Sequence, residues 1–152
     1  MTEPSEILIR LADEFAAVIP EVDATAKHGR WKSGIGPFEE ENQIELIFEA
    51  LEDSPFRDRI ETEVTYLDGE QRCDLVVDCD GIRLPVEAKL LRFRYDNGNI
   101  DPNSFARIFT PFPERNSSSL LTDTKKLFES GFESKVAYSG CTMSRSTRST
   151  TG

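Results

Sequence analysis

Two apolar runs joined by a three-residue turn constrain this chain most: "RCDLVVD" (72–78) and "IRLPVEAKLL" (82–91), with "CDG" between them. β-Branched residues in the runs and turn chemistry in the gap predict an antiparallel hairpin. A further segment, "ETEVTYL" (61–67), precedes them across "DGEQ" and extends the hairpin to a meander of three strands. This hairpin carries charges that buried sheet does not tolerate alone: Asp74, Glu87 and Lys89. Alternation puts Pro85, Glu87 and Lys89 on one face, with Val86, Ala88 and Leu90 on the other, while Asp74 shares a face with Val76. Across the turn, Asp74 and Glu87 are expected to meet on one side of the sheet. Carboxylates that close repel unless a cation lies between them, and oxygen ligands suit Mg²⁺ or Mn²⁺. Lys89 then points to the same pocket, placed to orient or help deprotonate a water and to offset transition-state charge. The competing expectation is a solvated sheet face on which all three charges are ordinary surface residues.

Helical periodicity flanks the meander. "PSEILIRLADEFAAVI" (4–19) spaces Ile7, Leu8, Leu11, Phe15 and Val18 as one apolar stripe, with Pro20 as its expected stop. "PFEEENQIELIFEALEDS" opens on Pro37 in the expected first turn, with acids behind it that suit the helix dipole, and carries Ile44, Ile47, Phe48 and Leu51. After the meander, "RFRYDNGNIDPNSFARIFTPFPERN" reads as an extended loop or lid, rich in Asn, Pro and aromatics. "SSSLLTDTKKLFESG" returns to helix, with serines as caps and Gly131 as stop, and "SKVAY" starts another strand. The expected fold class is α/β with an α+β sheet core, and residues 1–137 form one domain.

Composition narrows the classes. The chain has 152 residues, 38% hydrophobic and 30% charged, which is globular rather than disordered composition. No apolar run is long enough to span a bilayer, and the start lacks a basic region and cleavage site, so the expectation is a cytoplasmic protein without membrane contact. Three cysteines without CxxC spacing fit reduced thiols; Cys73 and Cys79 are expected in the core rather than on zinc. The net charge of -10 runs against a simple nucleic-acid binder, which usually carries a basic footprint.

With these elements in place, Asp74 followed by Glu87-Ala88-Lys89, after a helix bearing acids, resembles the PD-(D/E)XK nuclease superfamily and its restriction-endonuclease-like core. The resemblance spans about residues 37–137 and implies an αβββαβ core with an extra N-terminal helix. Asp74 matches the first motif acid, preceded here by Cys73 instead of Pro, and Glu87 and Lys89 match the E-x-K. Many members add a Glu from the helix before the meander; Glu41 has the matching spacing to Ile44 and Phe48, and Glu40, nearer the centre of the apolar stripe, stays open. The resemblance implies Mg²⁺- or Mn²⁺-dependent hydrolysis of a nucleic-acid phosphodiester, foremost DNA, by a chain that can form a homodimer. It assigns metal binding to Asp74, Glu87 and Glu41, and water activation to Lys89. The alternatives are a catalytically inactive nuclease-like binding or regulatory module, a truncated fragment, and an acidic protein-binding domain in which D…ExK is accidental.

Weaker candidates surround this set. Arg92, Arg94, Arg107 and Arg115 are phosphate contacts or plain surface charge. Lys126 faces the substrate or pairs with Asp123 at i, i+3, beside Lys125. His28, Arg30 and Lys32 form an anion-contacting edge or a plain surface loop. The segment from Tyr138 to Gly152 holds no acid in an otherwise acidic chain, and is expected to be a disordered tail or a translation in a shifted frame.

Overall fold

Helix α1 (Pro4–Thr25) begins with Pro4 in its first turn, and its Glu3 N–H donates to Glu6 Oε2 at 3.3 Å. The computed structural model of the chain describes residues 2–30, 33–67, 69–89, 98–117 and 119–134, with Arg107 and Pro113 as backbone alone. Ile7, Leu8 and Leu11 are the buried face of α1. The helix does not stop at Pro20. That proline is exposed and the helix continues through it, which seats Val22 against Ile35 and Ile47. A proline inside a helix costs roughly 3 kcal/mol, so this packing has to offset it. Helix α2 (Glu40–Ala50) also differs from expectation, because Pro37 lies in a turn before it and Glu39 is its N-cap. The turn closes with the Phe38 N–H on the Ile35 carbonyl at 3.1 Å. Glu40 and Glu41 therefore occupy the first helical turn, where the dipole favours carboxylates.

The meander is present: β1 (Ile60–Thr65), β2 (Arg72–Cys79) and β3 (Ile82–Val86) form an antiparallel sheet in the order β1-β2-β3. Cys79 pairs with Ile82, so the hairpin turn is the two residues Asp80 and Gly81. Both have positive φ, 54° and 78°, the conformation that makes Asp-Gly the favoured two-residue hairpin turn. This turn sets the register Val77↔Leu84, Val76↔Pro85 and Leu75↔Val86. β3 ends at Val86, shorter than the run 82–91, so Glu87, Ala88 and Lys89 lie just beyond the ladder while Leu90 and Leu91 fall outside the described residues.

The sheet is covered on both faces. Leu75, Val77, Cys79 and Leu84 share one cluster with Ile7, Leu8 and Leu11 of α1 and Ile44 of α2. Val76 packs on the other side with Tyr66, Cys73 and Phe132, and with Leu127 of the later helix α4 (Leu120–Glu129). Burial on both faces explains why "LVV" is a continuous apolar run rather than an alternating one. Each such side chain contributes about 1.5–3 kcal/mol on leaving water. The solvated-face expectation does not hold, because Asp74 and Glu87 are half-buried and the Lys89 ammonium lies against Asp123 of α4. Cys73 and Cys79 are buried free thiols, as expected, but they belong to different clusters.

The segment read as a lid contains a short helix, α3 (Pro102–Ile108), and a 3₁₀ turn, Pro113–Arg115. Asp101 caps α3 by accepting from the N–H groups of Asn103 and Ser104, so Asp-Pro here starts a helix instead of prolonging a loop. α4 starts as expected, with Ser119 Oγ accepting from Thr122 N–H at 3.1 Å, and Gly131 follows its end at φ 79°. Among the described residues the molecule is thus a mixed α/β fold of four α-helices and one three-stranded antiparallel sheet. The strand expected from "SKVAY" and the segment 138–152 lie outside the described residues. No described helix is long and apolar enough to cross a membrane.

Candidate active site

The hairpin register brings Asp74 and Glu87 together. Continuing the Leu75↔Val86 pairing by one step sets Glu87 opposite Asp74. The Ala88 N–H donates to Asp74 Oδ2 at 2.6 Å, which ties the end of β3 to β2 where the regular ladder has stopped. The two carboxyl groups are close enough for each to act on the acidity of the other. On the other side, Tyr66 O–H donates to Glu87 Oε1 at 2.5 Å, reaching past the central strand from the end of β1.

Burial and mutual repulsion shape the acidity of this pair. Glu87 is pushed up to about 7, first by burial and then by the charges of Asp74 and Asp123, against the Tyr66 hydrogen bond. Asp74 is also raised, by burial and the Glu40 charge, although the Ala88 N–H and Lys89 oppose this. Burial and proximity therefore make it costly to keep both carboxyl groups ionised together. Cys73, beneath them, is pushed up to about 12 by burial and by Glu87 and Asp74, so it is a protonated core thiol at neutral pH. Tyr66 is raised as well, by burial and by Glu87, and keeps its proton as a donor.

Lys89 completes the cluster. Its Nζ lies 2.8 Å from Asp123 Oδ2 and 3.6 Å from Glu40 Oε1, with its side chain 16% exposed. Burial works against the ammonium, but Asp123, Glu40 and Asp74 outweigh it and raise its pKa. Asp123 in turn lies 3.3 Å from Lys126 Nζ, and the Lys126 charge acts on Glu87. Four carboxylates (Glu40, Asp74, Glu87 and Asp123) thus face two ammoniums (Lys89 and Lys126). The excess is two negative charges.

The expected helix acids occupy different places. Glu40 is the one in contact with Lys89, whereas Glu41 is exposed and lines a cleft of about 310 Å³ together with Asp74, Glu63 and Arg57. The β1–β2 ladder skips the Glu63–Asp74 pair, and Glu63 sits at φ 53°, a left-handed position unusual for a non-glycine residue in a strand. The break lies beside Asp74 on the cleft wall.

Of the weaker candidates, Lys126 joins the cluster through Asp123. Lys125 pairs with Glu129 on the surface, and Arg115 is exposed over the Phe112 ring. His28 packs edge-on against Phe38 and accepts the Arg30 N–H at Nδ1. Lys32, Arg92 and Arg94 lie outside the described residues, as does the Arg107 side chain. Sequence reading missed Tyr66 and the Asp123–Lys89 contact. A hydroxyl-bearing aromatic at the end of β1 was a signal for the first; the second joins distant segments and left none.

Among the described residues no three His, Cys, Asp or Glu side chains are gathered as a ready-made metal cage. The donor set nevertheless suits a hard divalent cation: paired carboxylate oxygens whose burial and mutual repulsion a bound cation would offset. No protein-family model, curated protein or solved structure matches the chain.

Proposed function

We propose that the chain is a restriction-endonuclease-like, divalent-metal-dependent nuclease that hydrolyses phosphodiester bonds, with DNA as the foremost substrate. The observation that carries this reading is the meeting of Asp74 and Glu87 across the hairpin end, with the Lys89 ammonium in the same cluster. A carboxylate pair with both acidities weakened by burial, Glu87 to about 7, next to a half-buried lysine, is the kind of arrangement found at catalytic centres. In this reading Asp74 and Glu87 hold Mg²⁺ or Mn²⁺. The bound ion supplies Lewis-acid stabilisation of charge on a phosphodiester oxygen. Lys89 orients the attacking water and offsets the charge that develops on phosphorus-bound oxygen. Tyr66 fixes the rotamer of Glu87 through its hydrogen bond, and the Ala88 N–H fixes Asp74. Glu40 balances the Lys89 ammonium from the first turn of α2.

The test is incubation of the protein with supercoiled DNA, linear duplex, single-stranded DNA and RNA, with Mg²⁺ or Mn²⁺ and with chelator, beside Lys89→Ala. Cleavage that needs the metal and drops at least roughly 100-fold in Lys89→Ala supports the reading. Equal rates in the two proteins, or no cleavage of any substrate by folded wild type, would overturn it.

A further inference from the structure

Lys89 lies beyond the last residue pair of β3, where the ladder no longer fixes the backbone. A lysine there has a flexible four-carbon stem and a strongly hydrated head, so water competes for its ammonium. Something must hold it in the cluster. Asp123 is the closest charge to it, at 2.8 Å, and is itself only 4% exposed. Among the described residues its charge partners are the ammoniums of Lys89, on Oδ2, and Lys126, on Oδ1, and these pairings offset the cost of its burial. Pairing with Lys126 at i, i+3 needs only an exposed helix face and does not explain why the carboxylate is buried. The contact with Lys89 does. Asp123 is also rigidly mounted, in the first turn of α4, with its N–H on the Ser119 carbonyl at 3.0 Å and Ser119 capping the helix.

We propose that Asp123 is the positioning residue of this site: from α4 it grips the Lys89 ammonium and holds it beside the Asp74–Glu87 pair. The proposal rests on the nuclease reading for its catalytic meaning, but the grip itself is a property of the fold. Asp123 touches neither the carboxylate pair nor any substrate in this role. Its consequence is that α4 is part of the catalytic apparatus and more than a cover for the sheet. Lys126, on the same helix, pairs with the other carboxylate oxygen of Asp123 at 3.3 Å.

The test combines kinetics with a direct view of the ammonium. In Asp123→Asn, which keeps shape and loses charge, kcat is expected to fall roughly 10- to 100-fold while KM stays within about twofold, as misplacement of a catalytic group predicts. Combining it with Lys89→Ala is expected to cost nothing beyond Lys89→Ala alone, because the two act as a unit. Asp123→Glu, which restores the charge, is expected to recover part of the rate. By NMR, the Lys89 side-chain ammonium signal, slowed in exchange by the ion pair, is expected in wild type and lost in Asp123→Asn. Wild-type kcat in a folded Asp123→Asn protein, or an unchanged Lys89 signal, overturns the proposal. Should Asp123→Asn fail to fold, an exchange-broadened Lys89 signal in wild type overturns it instead. A wild type inactive on every substrate with the Lys89 signal intact overturns the nuclease reading and the catalytic role with it, and leaves the grip established.

Discussion

The Asp74 carboxylate accepts the Ala88 backbone N–H at 2.6 Å, one residue past the point where β3 stops pairing with β2. This one bond makes the hairpin end a defined place rather than a frayed one. It keeps Glu87 opposite Asp74 and sends Lys89 toward Asp123 and Glu40.

Because the pair is held close and half-buried, the metal-free protein has a predictable pH dependence. Glu87 stands at about 7 instead of its ordinary 4.5, so between those values the native state holds a proton that the unfolded chain has released. Stability is therefore greatest on the acid side of that window and falls as pH rises through 7; Asp74, raised in the same direction, adds to the trend. Denaturant unfolding in chelator is expected to show this fall between about pH 4.5 and about pH 7, with a flatter profile in Glu87→Gln. A wild-type profile that rises across the same interval contradicts it.

The hydrogen bond from Tyr66 gives a second expectation. Tyr66→Phe removes only the hydroxyl and leaves the ring packed against Phe132 at 6.4 Å between centroids. The loss of one partly buried bond to a carboxyl is expected to cost about 1–3 kcal/mol in unfolding free energy. Glu87, deprived of a bond that opposes its upward shift, is expected to titrate higher still, which carboxyl NMR reads directly.

The two helix acids are separable. Glu40 touches Lys89 at 3.6 Å and its charge acts on Asp74, whereas Glu41 is exposed on the cleft wall. Glu40→Gln is expected to change the cleavage rate by more than Glu41→Gln, by roughly tenfold, on parallel assays under the same metal concentration. A larger effect at Glu41 would assign the helix acid to the cleft side.

Much of this arrangement was legible in the residues. The Asp80-Gly81 turn sets the register, and the register alone puts Glu87 opposite Asp74. The apolar stripes of α1 and α2 and the Ser119 cap of α4 were equally visible. Other features were not, for identifiable reasons. Pro20 marks a stop by its missing donor, yet packing of Val22 with Ile35 and Ile47 carries α1 past it. Helix α3 has seven residues and leaves Phe105 and Phe109 exposed, so it has no apolar stripe to detect, although Asp101-Pro102 was a usable start signal. The contact of Lys89 with Asp123 of α4 and the choice of Glu40 as partner of Lys89 are tertiary facts. No local period encodes them.

The central claim is that Asp74 and Glu87 together hold one divalent cation. Its most direct measurement is calorimetric titration of Mn²⁺ into wild type and the Asp74→Asn/Glu87→Gln double variant near pH 6.5, in buffers of different ionisation enthalpy. The account predicts a single saturable site in wild type, proton release on binding, and neither in the double variant. Identical binding by the two proteins, or no binding by the folded wild type, would contradict it.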